Sequence, residues 1–204
     1  MRQILRFLEN MLPYMLAALP ALLLFRFLRV KQLQRRGNPS GLLREAALLF
    51  FLLFLVGLAS QTVIPKIDLL PGGSLALSQT AGGGVNLVPF AIVSDCAEAF
   101  RIGDSSYFLI NVVGNIVMFL PIGLFLPLLW RVSTTRAVLG GFCASLFVEL
   151  CQLPQPRGTD IDDLWLNTLG AALGALLFLL LRKAAPAFCA RFRVCPMQKK
   201  GCAE

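Results

Sequence analysis

The sequence predicts an all-α, polytopic transmembrane helix bundle of about five spans with one long extracytoplasmic connection, and three observations carry that prediction. The chain is 57% apolar and only 15% charged, against about 25% charged in a soluble domain. Five apolar runs each approach the roughly 20 residues that cross a hydrocarbon layer as a helix. Its 19 Lys and Arg residues collect at the ends of those runs, the pattern that orients helices in a membrane.

The first run, Met11 to Val30, carries Arg26 and Arg29 at its end and is followed by Lys31, Arg35 and Arg36 and by no small-residue cleavage site. It reads as a retained anchor. Gly37-Asn38-Pro39-Ser40-Gly41 is a turn, after which Leu42 to Ile64 forms the second run. Residues 1–64 are thus two spans joined by a basic loop. The connection, 65–106, contains Pro71-Gly72-Gly73 and Gly82-Gly83-Gly84, so it cannot be helical throughout, and short interfacial pieces are expected. Tyr107 to Trp130, Arg136 to Leu153 and Asp163 to Leu181 follow with short links, which predicts three antiparallel neighbours in a core unit, 107–182. Pro121 and Pro127 are expected to kink the third run or end it early. Gly170 and Gly174 have the G-x-x-x-G spacing that lets helices approach closely, and a place inside the bundle is expected for them. A stripe facing lipid would favour a partner-binding subunit. The tail, 183–204, is basic.

Cytoplasmic flanks carry the excess of Lys and Arg. With the N-terminus outside and the C-terminus cytoplasmic, 14 of the 19 lie inside, and this orientation is the expected one. The net charge of +8 therefore reads as a membrane-orientation signal and not as a nucleic-acid surface. The chain has no histidine, which removes imidazole-dependent phosphatases, serine/histidine proteases and H-E-x-x-H zinc enzymes. Six cysteines (Cys96, Cys143, Cys151, Cys189, Cys195, Cys202) contain no C-x-x-C pair and are expected to be unpaired thiols. No metal site and no cofactor is implied.

Polar residues inside the spans gather at one end. Asn111 and Asn115 share a face of the third span; Glu149 and Gln152 lie at the end of the fourth; Asn167 lies one turn into the fifth, with Gly170 and Gly174 continuing its stripe. The link Pro154-Gln155-Pro156-Arg157-Gly158-Thr159-Asp160-Ile161-Asp162-Asp163 closes over them. Asp160 or Asp162 can cap the fifth helix. Glu149 is the hardest to explain blandly, because an ionised carboxylate in a span costs about 2.5 kcal/mol or more unless paired or hydrated. Arg157 is its nearest cation in sequence, and Asn111, Asn115 and Asn167 are candidate hydrogen-bond donors. An Arg157–Glu149 pair that only locks the hairpin and a ligand site both fit this pattern.

Asn111-x-x-Gly114-Asn115-Ile116-x-x-Phe119-x-Pro121-x-Gly123, then Glu149-x-x-Gln152, then Arg157-x-x-Asp160-x-Asp162-Asp163-x-x-x-Asn167-x-x-Gly170 resembles the VanZ-like family of bacterial membrane proteins. Asn86-Leu87-Val88-Pro89-Phe90 is similar to an N-L-x-P-F element that the family carries before its core. The resemblance runs from about Asn86 to Leu181; the first two spans add little to it. Pro154 and Pro156 in a short loop depart from the pattern. The resemblance implies a bacterial cytoplasmic-membrane protein, its family namesake being associated with reduced susceptibility to the glycopeptide antibiotic teicoplanin, and it names no reaction.

Three functions follow as expectations. The first is an outward-facing polar cavity that binds a lipid headgroup, a cell-wall precursor or an antibiotic through Asn86, Asn111, Asn115, Glu149, Gln152, Arg157, Asp160, Asp163 and Asn167. The second is a histidine-free enzyme on an envelope or lipid substrate, with Glu149 or Asp160 as base. The third is a structural or partner-binding subunit. The lipid bilayer is the one partner common to all three; no oligomeric state is implied.

Overall fold

The computed structural model describes residues 2–64, 67–69, 75–77, 85–155 and 159–193, with side chains over 9–64, 85–155 and 159–193. In chain order the helices are α1 (Arg2–Arg35), α2 (Leu42–Thr62), the short α3 (Ala91–Arg101), α4 (Ser105–Leu129), α5 (Thr134–Gln152), α6 (Ile161–Ala184) and the short α7 (Pro186–Ala190). Strand β1 (Ile67–Leu69) pairs antiparallel with β2 (Leu75–Leu77), and β3 (Val85–Asn86) pairs parallel with β4 (Thr159–Asp160). Five helices, α1, α2, α4, α5 and α6, are long and apolar enough to cross a membrane. They are the five apolar runs.

The helix ends follow local chemistry. Ser133 starts α5 by accepting the Arg136 N–H on Oγ at 3.3 Å, a side-chain cap for a donor that has no intrahelical partner. Asp160 does the same for α6 by accepting the Asp162 N–H at 2.9 Å. Pro121 and Pro127 do not end α4, which runs through both to Leu129. Each proline removes one backbone donor, but a spanning helix packed among others tolerates the loss. Pro127 is fully buried.

The parallel pair α4 and α6 forms the centre, and glycine sets their spacing. A Cβ on Gly123 would lie 1.8 Å from the Ala171 carbonyl oxygen, one on Gly170 2.2 Å from that of Ile116, and one on Gly174 2.0 Å from that of Leu120. The two backbones therefore touch. The G-x-x-x-G stripe lies inside the bundle, where a dimer partner cannot use it. Helix α5 runs antiparallel beside them, α2 packs on α4, and α1 packs on α2. The apolar core joins Leu48, Phe51 and Leu58 of α2 to Phe119, Ile122 and Leu128 of α4, Phe178 of α6, and Cys189 with Phe192 at α7. Outward-facing Leu23, Leu24, Phe27 and Leu28 of α1 and Leu177 and Leu180 of α6 are exposed. In water that would be costly, and in lipid it is the expected surface.

At the end where α1 meets α2, Arg26 holds Glu45 through Nε at 2.9 Å and Nη2 at 2.5 Å, and Ser40 donates to the same carboxylate. Buried Arg44 lies 3.6 Å from Glu45 and donates through Nη2 to the Leu129 carbonyl at 3.5 Å. That carbonyl is one of the orphans at the C-terminus of α4, so this cluster ties three helices together. The described cysteines, Cys96, Cys143, Cys151 and Cys189, are free thiols; Cys195 and Cys202 lie outside the described residues.

Candidate functional site

The polar cluster sits at the other end, where α4 and α6 begin, α2 and α5 finish, and β3 leads into α3. Helix α4 enters it with a π-helical turn, Leu109–Gly114. A π turn displaces the usual i→i−4 backbone bonds, and no water is at hand in a membrane interior to satisfy stranded carbonyls. Asparagine side chains take that place here: Asn111 Nδ2 donates to the Tyr107 carbonyl at 3.0 Å, and Asn115 Nδ2 to the Asn111 carbonyl at 2.9 Å. Asn115 Nδ2 also donates to Asp163 Oδ1 at 2.5 Å, crossing from α4 to α6.

The link between α5 and α6 is anchored by its carboxylates, each in a different way. Asp160 caps α6 with one oxygen and accepts from Asn86 Nδ2 at 3.2 Å with the other, so the β3–β4 pairing is backed by a side-chain bond. Its own N–H donates to Glu149 Oε2 at 3.2 Å. Asp162 is completely buried. Its Oδ1 accepts from the Phe90 N–H at 2.6 Å and from Trp165 Nε1 at 2.8 Å, and its Oδ2 accepts from the Ile92 N–H at 2.7 Å. Phe90 adopts the left-handed conformation with φ 63°, which turns the chain into α3 and aims both N–H groups at one carboxylate. The Phe90 and Trp165 rings then meet at 5.6 Å. Tyr107 Oη donates to Asp95 Oδ2 at 3.2 Å, a second tie from α3 to the bundle.

On the inner side of the cluster, Asn167 is 3% exposed and donates through Nδ2 to Ser145 Oγ at 2.9 Å. Its Oδ1 is buried and has no hydrogen-bond partner among the described residues. Gln152 Nε2 donates to the Thr62 carbonyl at 3.0 Å, and Gln155 Nε2 donates to the carbonyls of Val63 at 2.9 Å and Cys151 at 2.8 Å. These bonds finish the C-terminal end of α2. Glu149 is 7% exposed and lies beside the start of β4.

Of the residues singled out from the sequence, Asn86, Asn115, Asp160 and Asp163 are directly bonded across elements, Glu149 touches Asp160, and Gln152 and Asn167 bond neighbouring helices. Asn111 bonds within its own helix. Arg157 lies outside the described residues, and so does its pairing with Glu149. Sequence reasoning missed the reach of Asp162 into α3, seeing in it only a cap for the fifth span. It also missed Ser145, Gln155 and Trp165. Trp165, three residues after Asp162, was the available signal, since i and i+3 share a helix face.

The sequence matches the VanZ/LLP1 family over residues 45–182, most of the chain, and the chain belongs to that family. The match takes in α2 as well as the three-helix core, so the second span is part of the family unit. No curated protein and no solved structure matches it.

Proposed function

We propose that this VanZ/LLP1 protein binds the polar headgroup of an envelope molecule, a lipid, a lipid-linked cell-wall precursor or a glycopeptide antibiotic such as teicoplanin, at the end of the bundle where β3, α3, α4, α5 and α6 meet. The observation that carries this reading is the convergence of Asn86, Asn115, Glu149, Asp160, Asp163 and Asn167 from five elements, β3, α4, α5, β4 and α6, onto one end, with the Asn167 oxygen left as an acceptor. Positions at a helix N-terminus account for Asp160 and Asp163 but not for Glu149, and an ionisable group inside a span is costly and marks a functional site. Arg157 pairs with an anionic group of the ligand, the amides hydrogen-bond its polar atoms, and the cluster opens outward from the bacterial cytoplasmic membrane with the N-terminus outside and the C-terminus cytoplasmic.

The experiment is Arg157→Glu in cells that carry the protein. Teicoplanin tolerance falls to the level of cells lacking the protein while membrane abundance is unchanged; an unaltered phenotype at equal abundance removes Arg157 from the site. An enzymatic reading is favoured by the buried Glu149 carboxylate, whose Oε2 accepts the Asp160 N–H at 3.2 Å and so lies beside the segment that carries a second carboxylate. Turnover of a labelled lipid-linked substrate by the purified protein, lost in Glu149→Gln, selects that reading over binding alone.

A further inference from the structure

The α5–α6 pair has a second feature on its outer face, reaching from Thr168 to the other end of the two helices. A groove of about 590 Å³ runs along the outer face of these two helices, within the roughly 300–1,000 Å³ of small-molecule sites. Its walls are Leu139 and Phe142 of α5 and Leu176 and Leu179 of α6; its floor is formed by Ala172 and Ala175, whose small side chains create the concavity. The walls are partly exposed, with Leu139 at 58% and Leu176 at 50%. The groove is apolar through its middle; Thr168 lines one end, its hydroxyl donating to the Leu164 carbonyl at 2.7 Å, and Thr134 and Thr135 line the other. These residues form the first turn of α5, where Ser133 takes the Arg136 N–H and the remaining N–H groups with the helix dipole favour negative charge.

On α5, α6 and the link before α5, the charges near that end have one sign. On α6 the groove-lining positions Thr168, Ala172, Leu176 and Leu179 continue at helical spacing to Lys183, one turn further on. Arg131 lies in the link just before Thr134. No Asp or Glu occurs in α5 before Glu149 or in α6 after Asp163. An apolar channel ending in hydroxyls, a helix N-terminus and a lysine complements an acyl chain that ends in a phosphate.

We propose that the α5–α6 groove seats one acyl chain of an anionic phospholipid, with its phosphate at Thr134, Thr135 and Lys183. This site is separate from the polar cluster and stands or falls independently of it.

Native mass spectrometry of the full chain, released from nanodiscs of equal phosphatidylglycerol and phosphatidylcholine, reads the bound lipid directly. Phosphatidylglycerol is retained in preference to phosphatidylcholine. Lys183→Gln, at the exposed end of α6, lowers that preference about five-fold, the factor expected for one basic residue at an anionic headgroup. Ala172→Phe fills the groove and removes the retained lipid, whereas Leu173→Phe, on the neighbouring lipid face of α6, leaves it in place. Equal retention of the two lipids, or a preference unchanged in Lys183→Gln, overturns the proposal. A dimer that Ala172→Phe converts to monomer also overturns it, because a second copy then occupies the groove.

Discussion

Asp162→Asn keeps the shape of a buried side chain and removes one acceptor, which makes it a direct test of how α3 is held. The carboxylate takes three donors, two of them backbone N–H groups at the start of α3. An amide has one acceptor oxygen and an NH2 group. Whichever way it turns, at least one donor now faces another donor. A hydrogen bond to a charged acceptor contributes about 1.5–3 kcal/mol, and a buried donor left without a partner costs about 1–3 kcal/mol. Because these overlap, we take about 3 kcal/mol for the loosening of α3, which is roughly a 100-fold change in an opening equilibrium at 1.4 kcal/mol per decade. Hydrogen–deuterium exchange of the full chain in nanodiscs measures this segment by segment. Amides over 91–101 lose about 100-fold in protection, while the interiors of α4 and α6, tied by glycine contacts that Asp162 does not touch, keep theirs. Unchanged exchange over 91–101 would refute the clamp, and an equal loss throughout α4 and α6 would show that Asp162 supports the whole bundle instead.

The glycine contacts are tested by Gly123→Ala and Gly174→Ala, which place a Cβ against the Ala171 and Leu120 carbonyls and lower the thermal midpoint in detergent through overpacking of about 1–3 kcal/mol each; Leu173→Ala on the lipid face changes it little. Orientation is read from single cysteines at Val88, Ser133 and Ala187 in a cysteine-free background, treated on whole cells with a membrane-impermeant thiol reagent. Position 88 is labelled and 133 and 187 are not; the reverse pattern turns the cluster toward the cytoplasm and sinks the envelope reading. Native Cys96 on α3 is buried, and burial with the neighbouring Asp95 pushes its thiol pKa up, so less thiolate is present at neutral pH. Its alkylation in purified protein is slow at pH 7 and rises with pH beyond the point where an exposed thiol has levelled off.

The legible part of the fold was the part that periodicity and hydropathy govern. Each of the five apolar runs is a helix because a bilayer leaves the backbone no other way to satisfy itself, and the polar residues of three spans fall at one end because spans of fixed length run back and forth through a layer of fixed thickness. Helix α3 was not resolved as such. It is 11 residues long, preceded by Pro89 and a left-handed Phe90, and it is held by a carboxylate 70 positions away in sequence. Nothing local announces such a tie. The π turn was equally hidden: Asn111 and Asn115 read as one polar face turned toward a neighbouring helix, whereas both amides also repair the backbone of their own helix. The carry-through of α4 past two prolines depended on burial that a single sequence does not display.

The positions of the carboxylates separate the residues that build the end of the bundle from the one that does not. Asp160 caps α6, Asp162 serves the first N–H groups of α3, Asp163 lies in the first turn of α6, and Asp104 starts α4 by accepting the Ser106 N–H at 3.0 Å. All four sit at helix N-termini, where the dipole favours a negative charge. Among the buried carboxylates of the described residues, Glu149 is the exception. It lies in the last turn of α5, where the dipole disfavours a carboxylate and local helix chemistry gives no reason for one. The bond it makes to the Asp160 N–H needs only an acceptor oxygen, which glutamine also supplies. Glu149→Gln therefore keeps that bond while removing the charge. Loss of the proposed ligand binding at unchanged thermal midpoint and membrane abundance assigns the charge itself to function; unaltered binding in Glu149→Gln would make Glu149 one more tie for the α5–α6 link.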